Sequence, residues 1–317
     1  MAARLRRPDR TQVGAITLAV LFDNYLREET PIKGASKQAH DHRTARLVLD
    51  FLGPARRASE LTHRDAARFV AERRRRGDGR SGTKRGRPLR ARALQYDVAF
   101  LKAVLSWGVG VGALDRNPLI GYTSPAETSP RRPVVTASQY EALLAAGVQI
   151  HPLFRLTLIL AHETGHRIGA VRQVRWADID LERQLIRWRG ENDKIGYEHE
   201  TSLTPDAIQA LKAARRAQAV ISEWVLPSPS KPAEPISRHL LRDWWERGQL
   251  LAKLPPEPGR GYHSLRRQFA TELKHAPLKD LCALGGWKSP QTVLICYQKP
   301  DSVSMQQALA TRRRLEA

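Results

Sequence analysis

Residues 263–297 read HSLRRQFATELKHAPLKDLCALGGWKSPQTVLICY, and the rest of the chain takes its meaning from this stretch. His263 and Arg266 stand three apart, which puts both on one face of a helix. A guanidinium fork beside an imidazole suits a phosphate group. Trp287 follows, then Tyr297, and a tyrosine hydroxyl can act as a covalent nucleophile. Each residue type is commonplace alone. An HxxR spacing arises by chance, and a tyrosine near the end of a chain usually packs. What the stretch does depends on what the other residues bring to a phosphate.

Charge points the same way. The 317 residues carry 53 Lys and Arg against 32 Asp and Glu, a formal net charge of +21. Such an excess attracts polyanions, and nucleic acid is the one a basic protein most often meets. Basic residues recur at 5–7, 73–76, 84–92, 131–132, 266–267 and 312–314, which fits a chain that surrounds its ligand. The plainer reading of the same charge is a solvated basic surface. Hydrophobic content of 41% is enough for folded cores. Cys282 and Cys296 make neither a disulfide framework nor a CxxC pair, so a reducing compartment is expected. The apolar run Ala15–Phe22 is too short to span a bilayer, and the basic start lacks a signal-peptide pattern. The expected location is the cytoplasm, in association with DNA.

Taken in order, residues 1–12 form a basic flexible N-terminus. A helix is expected over Val13–Glu29 with Ile16, Val20 and Tyr25 on one side, and a second over Lys37–Leu52 stopping at Gly53. Thr62 and Asp65 make a capping box ahead of a third. Residues 77–90, GDGRSGTKRGRPLR, read as a basic loop able to touch phosphates. Leu94, Val98, Leu101 and Leu105 stripe a further helix that Trp107 and Gly108 are expected to close. Four prolines mark 117–133 as the linker after a helical domain at 13–116.

The domain at 134–317 opens with a capping box, Thr136 and Gln139. An apolar helix, FRLTLILA, stops at Thr164–Gly165, and another starts at Arg167–Ile168. Short strands are expected at 178–181, 184–189 and 198–203, with Asn192–Asp193 in the second turn. Helices follow from Pro205, over 237–252 (with Trp244 and Trp245 read as core), through the opening stretch, and from Ser302 to the end. The fold class is therefore mainly α with a small antiparallel sheet.

His162–Glu163–Thr164–Gly165–His166 matches the zinc-protease spacing HExxH. That chemistry needs both histidines on one unbroken helix, and Gly165 is a helix stop. No metal or other cofactor is expected.

The same segment has a second reading. ETGHRIGAVRQVRWADID (163–180) resembles the arginine-bearing turn of the tyrosine recombinases, the phage integrase family. In matching order come Lys194 in the turn ENDKIG, His263 and Arg266 in HSLRR, Trp287 in LGGWKS and Tyr297 in ICYQKPD. The resemblance covers roughly 134–300; residues 13–115 look like the family's helical core-binding domain, which has no sharp motif. It implies a site-specific recombinase or integrase that cuts and rejoins DNA through a 3′-phosphotyrosyl intermediate, without metal or ATP. Arg167 and Arg266 would clamp the non-bridging oxygens of a crowded, negatively charged phosphorane. Tyr297 would attack, His263 take its proton or hydrogen-bond the phosphate, Lys194 protonate the 5′ leaving oxygen, and Trp287 offer one N–H.

Implied partners are double-stranded DNA at specific sites, held by both domains, further copies of the chain up to a tetramer, and an accessory directionality factor. The short N-terminus leaves little room for a separate arm-binding domain. Integration, excision and dimer resolution all fit this chemistry. So do a DNA-binding relative with altered catalysis and a topoisomerase-like DNA-relaxing enzyme. Two departures stand out: Ala170 occupies the place of an acidic residue usual in the family, and Trp287 to Tyr297 is one residue longer than the commonest spacing.

Overall fold

Local signals fix most element boundaries in the computed structural model, which describes residues 15–77, 89, 91–124, 133–193, 196–217, 221–298 and 302–310. The N-terminal segment 1–12, most of the basic loop 77–90, and Lys194 lie outside these residues. The chain divides into two compact units, Met1–Pro130 and Arg131–Ala317.

In the first unit, α1 (Leu18–Glu28) begins one residue after Thr17, whose hydroxyl accepts a hydrogen bond from the Val20 N–H. That cap sets the helix phase. Leu18, Leu21, Phe22 and Tyr25 turn into the core at i, i+3, i+4 and i+7, while Val20 is 51% exposed. The inward face expected from Val20 was thus misphased, because the helix starts later than its composition suggests. Helix α2 (Ala35–Leu52) stops at Gly53, where φ is +89°. The capping box of Thr62 and Asp65 opens α3 (His63–Arg76). Helix α4 (Ala91–Gly110) buries Leu94, Val98, Leu101 and Leu105 as the stripe predicts.

Trp107 and Gly108 do not close α4; they lie within it. Gly108 is there for close approach, since a Cβ would stand 2.9 Å from Leu21 Cδ1 of α1. Residues 117–122 belong to this unit as well. Leu119 is buried and the Ile120 carbonyl lies 2.9 Å from His63 Nε2, so the proline-based linker starts too early.

In the second unit, α5 (Ala137–Ile150) follows its capping box, and α6 (Pro152–Glu163) carries the apolar run. A short α7 (Ile168–Val171) leads to an antiparallel sheet in the order β1 (Ile179–Asp180), β2 (Leu185–Trp188), β3 (His199–Ser202). Register pairs Ile186 with Ile179 and Thr201, which directs Ile186 and Trp188 inward. Then come α8 (Pro205–Ala217), α9 (Arg238–Leu251), α10 (Tyr262–Glu272), α11 (Leu278–Gly285), α12 (Pro290–Cys296) and α13 (Ser302–Ala310). Trp244 and Trp245 of α9 are buried among Leu143, Phe154, Leu241 and Leu265, as read from the sequence. Among the described residues, no helix is long and apolar enough to cross a membrane.

Candidate active site

Arg167 is delivered by a turn that has to contain glycine. Helix α6 ends at Glu163, and Gly165 adopts φ +62° with the Phe269 ring so close that a Cβ would lie 2.3 Å from its Cδ1. Arg167 then caps α7 in an extended conformation, and its Nη1 donates to Asp193 Oδ1 at 2.9 Å. The same turn splits the HExxH pair. His162 stacks on Tyr140 and lies 2.7 Å from Glu163 Oε1, whereas His166 stacks on Trp188 with ring centres 3.5 Å apart. The two histidines leave in different directions, and the metal-site geometry is not formed. Among the described residues, no three His, Cys, Asp or Glu side chains gather as a ligand set.

Arg266 is the most deeply placed charge of the site, only 1% exposed on α10. Its Nη1 donates to the carbonyls of Gly165 and Gly285, each at 2.6 Å, which ties the turn after α6 to the end of α11. The guanidinium carbon stands 3.8 Å from the centre of the Trp287 ring. That ring fills the space over Gly285, where a Cβ would lie 1.7 Å from Trp287 Cζ3. Burial lowers the Arg266 pKa to about 10, partly offset by the Tyr297 hydroxyl, so the group stays charged at neutral pH. Among the described residues, Arg266 Nε and Nη2 and Trp287 Nε1 have no hydrogen-bond partner. Buried donors left open are costly, and an anion is what would satisfy them.

Tyr297 follows the last turn of α12, its backbone N–H still bonded to the Val293 carbonyl. Tyr297 sits at the cap of α12 and not within it. Its hydroxyl lies 2.9 Å from His263 Nε2, and its ring meets Trp287 edge-on at 5.1 Å. The longer Trp287-to-Tyr297 spacing therefore still brings the two rings together. Burial, and then the positive charges of Arg267, Arg266 and Arg167, push the His263 pKa down to about 4. A neutral imidazole results, and in the tautomer that leaves Nε2 unprotonated it can accept the phenolic proton. His263 and Tyr297 line one small cleft with Arg267, Thr292 and Cys296, while Arg167 and Arg266 line another with Asn192, Asp193 and Gly286.

The fold thus assembles five of the six sequence-predicted positions, Arg167, His263, Arg266, Trp287 and Tyr297; the sixth, Lys194, lies outside the described residues. Tyr262, beside His263, is half-buried against Trp245. Arg267, grouped with Arg266 in the basic pattern, is not part of a solvated surface. It is buried, and its Nη1 donates to the Pro133 carbonyl at 2.6 Å. Arg175 lies over the Trp224 ring and 3.2 Å from Glu223. Sequence reasoning missed Asp193 as a partner of Arg167, and His199, whose Nε2 is 3.0 Å from that of His166. Neither carries a spacing signal; both depend on how the β2–β3 turn folds back.

The family model described as the phage integrase family matches residues 133–302. No curated protein matches the chain. Among solved structures, a lambda integrase dimer bound to a COC′ core site is similar at 18% identity and a TM-score of 0.69, over 95% of this chain and 80% of that one. The Tn1549 transposon integrase in complex with a circular intermediate DNA matches at 14% identity and a TM-score of 0.74, over 93% and 99%. A lambda integrase tetramer bound to a Holliday junction matches at 18% identity and a TM-score of 0.72, over 96% and 86%. At these identities the likeness is one of fold.

Proposed function

Because the chain belongs to the phage integrase family, we propose that it is a site-specific tyrosine recombinase that cuts DNA through Tyr297 and keeps the broken end as a 3′-phosphotyrosyl ester. The observation that carries this reading is the 2.9 Å contact between the Tyr297 hydroxyl and His263 Nε2, beside the buried Arg266 guanidinium. In the cleavage step the Tyr297 oxygen forms a bond to the scissile phosphorus as the bond to the 5′ oxygen breaks. His263 Nε2 receives the phenolic proton. The 5′ oxygen leaves as a hydroxyl, taking a proton from Lys194 on the β2–β3 turn. Arg266 and Arg167 hold the non-bridging oxygens, where charge accumulates, and the open Trp287 N–H adds a donor. The ester conserves the energy of the broken bond, so a 5′ hydroxyl from another strand reverses the step and completes the exchange. The residues named balance every proton and charge of the step.

The partner is double-stranded DNA, and the net charge of +21 supports binding through its phosphates. Exchange between two sites requires several protomers on DNA, up to a tetramer. The test uses the full chain with a nicked duplex selected from a random-sequence pool by binding to it. An SDS-resistant protein–DNA adduct is expected, and Tyr297→Phe should abolish it. An adduct that persists in Tyr297→Phe would mean that another residue is the nucleophile.

A further inference from the structure

The two site arginines are held in different ways. Arg266 is fixed by two backbone carbonyls and packed on Trp287. Arg167 is a third exposed, projects from the cap of a four-residue helix, and has Asp193 Oδ1 at 2.9 Å. The nearer part of α7 gives it no polar contact to lean on, because Ala170 offers the cleft only a methyl group. Asp193 is itself well anchored. Its backbone N–H reaches the Gly190 carbonyl, its carbonyl accepts from Gly196 N–H, and Oδ2 accepts from Tyr197 N–H at 3.4 Å.

We infer that Asp193 is the positioning residue for Arg167: it holds the guanidinium by its Nη1 and presents the Nε–Nη2 edge to the phosphate. A fork gripped on one side by a carboxylate keeps its other edge in the plane that a bidentate phosphate contact needs. The carboxylate also answers a charge problem. Arg167 and Arg266 repel across the cleft, and the Asp193 charge opposes that repulsion at Arg266. Both guanidinium groups can then occupy the site before DNA arrives. Asp193 touches no reacting atom, and its effect on the reaction passes through Arg167.

The inference rests on the recombinase reading above, and the experiment separates the two. Single-turnover cleavage by the full chain is followed on the selected nicked duplex and on the same duplex with sulfur in place of the 5′ bridging oxygen. A thiolate leaves without a proton, so the sulfur duplex removes the demand for a general acid. Asp193→Ala should slow cleavage of both duplexes on the order of 10- to 100-fold, as expected for a slightly misplaced clamp, while duplex affinity changes less than about twofold. Asp193→Glu should recover part of the rate. On the sulfur duplex, which keeps slow variants measurable, Asp193→Ala should add nothing to Arg167→Ala. The inference is overturned by an unchanged rate in Asp193→Ala, by a loss that adds fully to that of Arg167→Ala, or by a loss confined to the oxygen duplex, which would place the effect on Lys194. If Asp193→Ala melts early, Asp193→Asn is read by the same criteria. A Tyr297-dependent adduct with an indifferent Asp193 sinks only this inference, whereas an adduct surviving Tyr297→Phe sinks the reading beneath it.

Discussion

In the proposed reaction His263 has two jobs that its surroundings make compatible. It must be neutral to accept the Tyr297 proton, and it must sit where positive charge collects around a phosphate. Burial and three neighbouring arginines hold its pKa near 4, so neutrality follows from the same charges that draw the phosphate in. The consequence for stability has a definite sign. Between the ordinary 6.5 and about 4, the unfolded chain binds this proton and the native chain does not. Stability attached to neutral His263 is thus complete above pH 6.5 and declines as pH falls through that window, by an amount that solvent around this exposed residue reduces. Urea unfolding of the wild type and of His263→Gln from pH 8 to 4 should diverge toward the acid end. Parallel curves would show that His263 titrates normally. Adduct formation should likewise persist to about pH 5 and fall below it, since only the neutral ring can take the proton. The types and order of the site residues were legible in the sequence because their chemistry is particular. Asp193 was not, since an aspartate in a turn has a sufficient local reason to be there.

The elements themselves were legible wherever a boundary is a local event. The capping boxes at Thr62 and Thr136 and the stops at Gly53 and Gly165 depend on neighbours a few residues away. Packing is not local, and the misreadings follow from that. Val20 reads inward only if α1 starts at Val13, and Gly108 reads as a stop although it marks the contact of α1 with α4. Gly165 shows both kinds of information at one residue: its helix-stopping role is readable, its contact with Phe269 is not. Gly165→Ala should therefore do more than lengthen a helix. A left-handed alanine costs about 1–2 kcal/mol, and forcing Cβ into the Phe269 ring about 1–3 more. Denaturant titration should register a loss of about 2–5 kcal/mol. Because the turn also carries Arg167 and supplies a carbonyl to Arg266, adduct formation should fall further than duplex affinity. Equal losses in both would mean that the turn matters for folding alone.

At the scale of the whole molecule, the sequence announced two domains and a polyanion partner, but how copies of the chain meet is not written in charge. One protomer leaves α13 with Val303, Met305 and Leu309 at 60%, 53% and 67% exposure, next in the chain to the segment bearing Tyr297. Leu294 and Ile295 of α12 are exposed as well, 54% and 63%. Apolar surface of this kind, on the helix that leads to Tyr297, suits a second protomer better than water. We expect α13 to dock on a neighbouring copy, which would make cleavage depend on assembly. Deleting residues 301–317 should weaken binding of one selected duplex only modestly, through the loss of Arg312–Arg314, because Arg167 and Arg266 stay in place. Recombination between two duplexes should fall at least about tenfold, and mass photometry should find fewer complexes above the monomer on DNA. Recombination at the full rate by the truncated chain would show that assembly runs through another surface. A truncated chain that assembles but does not cleave would place α13 in the setting of Tyr297 instead.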